Sequence, residues 1–280
     1  MESGFFGKGA STLGLGNFLK KFNYGNKYIM DKIALITGGS RGLGKDMALR
    51  LAEKGNDVII TYLSKKDEAN DVVKAIESKG RKAYALQFDA GDIKSIDNFL
   101  SEVKKVLIEK WNTERFDFLI NNAGMGQTIP FSQVTEEDFD RFMNVHFKGV
   151  YFLTQKALPM MNDNGRIINL SSGTTRFVNP GYSIYATMKG AMEVLTRYVA
   201  KEVGARGITV NIVAPGPIET DFNNAAIRSN PQAKTFLGSM TALGRVGTAE
   251  DIGGIVAFLC SEDAGWINGQ RIEASGGINL

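Results

Sequence analysis

Tyr185 and Lys189 stand four residues apart, and Ser172 precedes Tyr185 by thirteen positions. Residues at i and i+4 project from one face of a helix, so a phenol and an ammonium would meet there. A free phenol has a pKa of about 10 and is a sluggish acid–base near neutrality. A neighbouring ammonium favours phenolate and is expected to lower that value toward the working range. Upstream, Thr37-Gly38-Gly39-Ser40-Arg41-Gly42-Leu43-Gly44 carries T-G-x-x-x-G-x-G spacing. This differs from the general dinucleotide fingerprint G-x-G-x-x-G, but the physics is shared. Glycines reach positive φ and let backbone N–H groups approach a pyrophosphate at a helix N-terminus. A nucleotide site joined to a proton donor points to hydride transfer to a carbonyl, or the reverse. The carbonyl oxygen gains negative charge in that step and must be stabilised and protonated.

The elements that would position these residues alternate along the chain. Short apolar runs at 33–37, 57–62, 83–88, 116–120, 166–170, 209–213 and 271–273 read as strands, and helices are expected over 43–54, 66–79, 93–111, 135–160, 183–203 and 248–260. Repeated βαβ units predict an α/β fold: a Rossmann-like, doubly wound parallel sheet of about seven strands with helices on both faces. Residues 31–280 are expected to form this one catalytic domain. Residues 1–30, rich in Gly, Phe, Asn and Lys, read as a flexible extension, and Met30 could be the natural start. Leu15, Phe18, Leu19 and Phe22 fall at helical spacing, which leaves a weak amphipathic anchor as the alternative.

Composition narrows the function. At 280 residues and 43% hydrophobic, the chain can bury one sizeable core. One cysteine, Cys260, precludes an intramolecular disulfide and fits a reducing, cytoplasmic setting. One histidine, His146, argues against most zinc sites, so no metal is expected; His146 itself is read as structural. The first thirty residues hold four lysines and one glutamate, and removing them from the 33 basic and 30 acidic groups leaves 29 of each. A neutral folded part argues against a nucleic-acid surface, and no run is long enough to span a membrane.

The cofactor is read at the end of the second strand. NAD sites place an acid there, about 20 residues past the glycine turn, to bind the ribose 2′-hydroxyl. Here the stretch is Thr61-Tyr62-Leu63-Ser64-Lys65-Lys66, with no acid before Asp67. Arg41 in the turn, with Tyr62, Ser64 and Lys65, would instead meet a 2′-phosphate, which favours NADP(H).

Together these features resemble the short-chain dehydrogenase/reductase family in its compact, single-domain form. The resemblance covers about residues 31–280 and rests on Thr37-Gly38-x-x-x-Gly42-x-Gly44, Asp89, Asn121-Asn122-Ala123-Gly124, Asn144, Ser172, Tyr185-x-x-x-Lys189 and Pro215-Gly216. It implies a catalytic set of Asn144, Ser172, Tyr185 and Lys189. Tyr185 would exchange the proton and Ser172 orient the carbonyl, while Lys189 would bind the nicotinamide ribose and Asn144 help hold a relay water. The cofactor would lie along Gly38, Ser40, Arg41, Gly42, Leu43 and Gly44, then Tyr62, Ser64 and Lys65. Asp89 and Ala90 would sit by the adenine, with a turn-capping role as the alternative for Asp89. Asn122, Ala123 and Gly124 would run beside the cofactor. Pro215 and Gly216, with Ile218 and Thr220, would face the nicotinamide, itself held by Tyr185 and Lys189. Residues 221–245 would form a lid, with apolar contacts from Phe222, Phe236 and Met240. Tyr182 lacks a lysine four residues on, and Ser171 would point away from Ser172.

The resemblance is nearest to 3-oxoacyl-acyl-carrier-protein reductase and to glucose 1-dehydrogenase-like members. In the first group the arginine corresponding to Arg206 helps dock an acidic carrier. The loop Met161-Asn162-Asp163-Asn164-Gly165, usually basic there, carries an acid, so a general carbonyl or sugar/alcohol reductase is preferred over the carrier-protein enzyme. A non-catalytic NADP sensor is the lesser alternative, since sensors lose the tyrosine or lysine. Arg176 is read as a solvent-facing charge, with a grip on an anionic substrate as the alternative. The family implies a homotetramer or dimer.

Overall fold

The computed structural model describes residues 32–280, so the expectations for residues 1–30 lie outside the described residues. In β1 (Ile33–Ile36) every residue is apolar and buried. Successive side chains point to opposite faces: Ala34 and Ile36 join one buried cluster, Ile33 and Leu35 the other. A strand buried on both faces belongs to a parallel sheet covered by helices on two sides.

The remaining elements follow in order. They are α1 (Gly42–Glu53), β2 (Asp57–Tyr62), α2 (Lys66–Glu77), β3 (Ala83–Gln87), α3 (Ile96–Trp111), β4 (Phe116–Asn121), α4 (Glu136–Met143), α5 (Gly149–Ala157), β5 (Met161–Leu170), α6 (Ser183–Val203), β6 (Thr209–Pro215), α7 (Pro231–Ser239), α8 (Glu250–Leu259) and β7 (Arg271–Ala274). The strands form one sheet in the order β3-β2-β1-β4-β5-β6-β7, parallel at every pairing. On one face Met47 and Leu51 of α1, Val72 and Ile76 of α2, and Ile252 and Val256 of α8 pack with Ala34 and Ile36. On the other, Val103 and Leu107 of α3, Leu153 of α5 and Ala200 of α6 pack with Ile33 and Leu35. Truncating a fully buried leucine such as Leu35 to alanine would cost about 2–5 kcal/mol.

Strand order reverses between β1 and β4, where a crevice opens at the carboxyl ends of the strands. The glycine turn after β1, Asn122 after β4 and Ser171-Ser172 after β5 all converge there. Among the described residues no helix is long and apolar enough to cross a membrane.

Three departures from the sequence reading bear on the site. The helix expected over 135–160 is interrupted by a π turn at Asn144–Lys148 between α4 and α5. The residue after that turn must be glycine: a Cβ on Gly149 would sit 2.0 Å from the Ala90 carbonyl oxygen and 2.7 Å from that of Asn144. π turns inside helices occur frequently at functional sites. β5 starts at Met161 rather than Arg166. The expected lid contains α7, where the Asn230 side chain accepts from the Ala233 N–H at 3.0 Å and Pro231 opens the helix, a start signal the sequence carries.

Candidate active site

A cavity of about 740 Å³ occupies the crevice. Its floor is the glycine turn, which is locked to the end of β4. The Thr37 hydroxyl accepts from Asn122 N–H at 3.0 Å and Ala123 N–H at 2.9 Å. The Asn122 side-chain amide donates back to the Thr37 and Gly38 carbonyls at 2.8 and 3.0 Å. Gly38 has φ of +68°, and a Cβ on Gly44 would lie 2.2 Å from the Gly38 carbonyl oxygen. Both positions therefore need glycine. Asn122, expected to contribute backbone, acts through its side chain as well.

Every residue expected to hold the cofactor lines this cavity, from Gly38 to Thr220. Arg41 is exposed at the N-cap of α1. Ser64 and Lys65 are exposed where β2 ends, with Lys65 Nζ 3.9 Å from Glu68. Two cations and a hydroxyl thus stand where an NAD site places a carboxylate, a donor set that fits a 2′-phosphate. Asp89 lines the cavity and also caps its own turn, accepting from Gly91 N–H at 2.8 Å.

At the other end stand Ser172, Tyr185 and Lys189. The Ser172 oxygen accepts from Thr174 N–H at 3.2 Å and Thr174 Oγ1 at 3.0 Å. Lys189 Nζ donates to the Leu170 carbonyl at 2.7 Å and lies 5.7 Å from the Tyr185 ring centroid. This corrects the expected pKa logic. Burial raises the Tyr185 pKa well above the usual phenol value, offset in part by the Ser172 hydroxyl nearby. The ammonium faces a carbonyl rather than the phenol oxygen.

Burial also pushes Lys189 down, from 10.5 to about 8. Between those values the unfolded chain keeps the lysine proton and the folded chain does not, so stability rises with pH across that window. The rise is on the order of 3 kcal/mol. Lys189→Met has no such proton to release. Its melting temperature relative to wild type should therefore be most favourable near pH 7 and fall away as pH approaches 10. A pH-independent difference would contradict this.

Behind Ser172 lies a polar network that the sequence reading missed. One Glu193 carboxylate oxygen accepts from Ser171 Oγ at 2.5 Å, Thr175 Oγ1 at 2.8 Å and Arg271 Nε at 2.7 Å. The Ser172 carbonyl oxygen lies 2.9 Å from Thr175 Oγ1 and competes with Glu193 for its one hydrogen. Glu193 follows Lys189 at i+4, so it shares the helix face of the catalytic pair, and that spacing was a usable signal. Ser171 is thereby committed to Glu193, which leaves Ser172 for the cavity.

Other expectations are revised. Asn144 does not line the cavity, whereas His146 does. Arg176 is an exposed charge, as expected, and its guanidinium is paired: it binds Glu273 at 2.7 and 2.8 Å and the Ile278 carbonyl at 2.7 Å. Arg206 binds Asp163 at 2.8 Å and the carbonyls of Leu158 and Met161. Phe236 is 63% exposed and points outward, while Phe222 and Met240 do line the cavity, joined by Leu237. The Tyr182 hydroxyl accepts from the Asn223 side-chain amide at 2.8 Å.

Comparisons with known proteins agree with this geometry. The family pattern described as "Enoyl-(Acyl carrier protein) reductase" matches residues 38–279. The chain is 37% identical over 253 residues to the 3-oxoacyl-[acyl-carrier-protein] reductase FabG of Staphylococcus aureus, covering 90% of this chain and 99% of that protein. It is 36% identical over 249 residues to the hydroxynaphthalene reductase arp2 of Aspergillus fumigatus, covering 85% of this chain and 89% of that protein. Among solved structures, the angucycline C-6 ketoreductase LanV with bound NADP is similar at a TM-score of 0.85 and 38% identity, covering 89% of this chain and 96% of that one.

Proposed function

The chain belongs to the short-chain dehydrogenase/reductase family, and from that membership we infer that it reduces a neutral ketone on an apolar body, with Tyr185 as proton donor. The protein is an NADP-dependent oxidoreductase acting on carbonyl or alcohol groups. The observation that carries the finer reading is one cavity with Ser172, Tyr185 and Lys189 at one end and Arg41 with the glycine turn at the other.

When bound, NADPH supplies the hydride. The protein's own part is to hold and protonate. Ser172, fixed by Thr174, presents its hydroxyl to the ketone oxygen, where the charge develops. Tyr185 gives its proton to that oxygen. Lys189, anchored by the Leu170 carbonyl, would hold the cofactor ribose. The high phenol pKa in the free protein keeps Tyr185 protonated, the form a reductase needs at the start of the step.

The substrate end supports an apolar ketone. Met125, Phe177, Tyr182, Phe222, Leu237 and Met240 line it, and Arg176 is engaged by Glu273. The relatives named for hydroxynaphthalene and angucycline substrates point the same way. The runner-up is 3-oxoacyl-acyl-carrier-protein reduction, favoured by the Staphylococcus aureus relative. Against it, the Arg206 guanidinium is occupied by Asp163. The test is NADPH oxidation, followed at 340 nm, on bicyclic aromatic ketones, simple ketones, an acetoacetyl carrier protein and a small acetoacetyl thioester. Aromatic ketones should be preferred, and the carrier should add nothing over the thioester. A strong carrier advantage would move the assignment to the runner-up. NADPH binding with no turnover would favour the sensor.

A cytoplasmic homotetramer completes the reading. Apolar side chains at Ile108 of α3, Tyr151 of α5 and Val194 and Tyr198 of α6 are exposed, as is Trp266 before β7. Such faces suit assembly through the long middle helices and the C-terminal strand.

A further inference from the structure

Arg176 lies in the segment between β5 and α6 that carries Ser172. Its Nε and Nη2 donate to the two Glu273 carboxylate oxygens at 2.8 and 2.7 Å, a bidentate fork. Nη2 also donates to the Ile278 carbonyl at 2.7 Å, and Nη1 to that of Asn279 at 3.2 Å. Glu273, on β7, is itself held by Arg271 Nη1 at 3.0 Å and by Ser275 Oγ at 2.7 Å. Arg176 does not line the cavity, but Ile278 and Asn279 do. So does its neighbour Phe177, whose ring centroid is 5.5 Å from the guanidinium carbon.

The segment after β7 needs such a hold. Gly276 and Gly277 have φ of +63° and +76°, and Asn279 has +52°. Glycine loses more conformational freedom on ordering than any other residue, so two in succession make this the least constrained part of the cavity wall. Its other support comes from the chain beyond α7. Ala242 and Leu243 N–H donate to the Gly277 and Gly276 carbonyls at 3.2 and 3.1 Å, and Asn279 N–H donates to that of Met240 at 3.1 Å. Met240 lines the substrate end of the cavity with Leu237, which places Ile278, 1% exposed, at that end too. A lone exposed ion pair contributes little. This one is bidentate and carries two main-chain carbonyls with it.

We propose that Arg176 determines ketone specificity from outside the cavity: anchored on Glu273, it fixes the Ile278–Asn279 main chain as the wall against which a ring-sized ketone packs. A ketone that fills the substrate end meets this wall and loses contact when the wall is free to move. A small acyclic ketone is placed by Ser172 and Tyr185 and does not reach it. The wall therefore contributes to kcat/KM for bulky substrates and discriminates against small ones. The planar fork of arginine suits the task, and lysine does not reproduce it. The proposal rests on the apolar-ketone reading, and the experiment separates the two.

The test compares wild type, Arg176→Ala and Arg176→Lys on a bicyclic aromatic ketone and a small acyclic ketone, with NADPH affinity and thermal melting in parallel. The expected result for both variants is a roughly tenfold fall in the ratio of kcat/KM for the bicyclic over the acyclic ketone, the contribution of one charge-assisted hydrogen bond. The fall should appear in KM for the bicyclic ketone, while kcat/KM for the acyclic one and Kd for NADPH stay within about threefold. A change in the ratio below about threefold would overturn the proposal, as would equal losses on both ketones, which a merely structural ion pair would give. If Arg176→Ala does not fold, Arg176→Lys decides by the same criterion. No turnover of either ketone by wild type, with NADPH bound, would defeat the apolar-ketone reading and the proposal with it. Turnover of both by wild type with an unchanged ratio in the variants would defeat the proposal alone.

Discussion

Tyr185→Phe is expected to lower turnover by roughly 10²- to 10⁴-fold, the span a positioned proton donor supplies, or about 3–5 kcal/mol of barrier. The substitution removes one oxygen and keeps the ring. That ring packs with His146 at 5.1 Å, Tyr182 at 6.2 Å and Phe222 at 5.8 Å between centroids, so the pocket should hold its shape. Lys189 keeps its bond to the Leu170 carbonyl, so NADPH affinity should change by no more than a few fold. Steady-state kinetics alongside NADPH fluorescence titration separate the two effects. A variant that keeps more than a tenth of wild-type kcat would remove Tyr185 from the proton-donor role.

Arg41→Ala is expected to weaken NADPH binding by roughly 10- to 100-fold while leaving NADH within about threefold. A charge-assisted hydrogen bond to an anion contributes about 1.5–3 kcal/mol, and only NADPH carries the 2′-phosphate. Arg41 lies at the N-cap of α1 with extended backbone and makes no side-chain capping bond there, so removing its side chain should leave the glycine turn intact. Lys65 would retain part of the preference, since its 3.9 Å contact with Glu68 is long and exposed. Paired Kd measurements for the two cofactors check this. Equal losses for both would mean that Arg41 supports the turn rather than the phosphate.

Much of this site is legible in local pattern. The two-face burial of Ile33 to Ile36 follows from a continuous apolar run, and Tyr185 with Lys189 from the four-residue helical repeat. The glycine turn declares itself by composition. Where the reading departed, the cause was contact between distant segments. Asn144 and His146 both lie in a π turn that no periodicity signals, and it is His146 that lines the cavity. Arg176 meets Glu273, 97 residues away, and Arg206 meets Asp163, 43 residues away. No periodicity signals such partners. The expected effect of Lys189 on the phenol failed for a similar reason. Helical spacing puts the two side chains on one face, but β5 supplies the Leu170 carbonyl that captures the ammonium.

The central claim is hydride delivery to a ketone inside this cavity, and label transfer tests it most directly. NADPH carrying deuterium at the reactive carbon would be incubated with a bicyclic aromatic ketone and the enzyme, and the product alcohol analysed by mass and NMR. The account predicts one deuterium at the carbinol carbon, in one configuration, and labelled alcohol lowered by roughly 10²-fold or more when Tyr185→Phe replaces wild type for the same time. Alcohol formed without label, or no alcohol despite bound NADPH across the ketone panel, would contradict it.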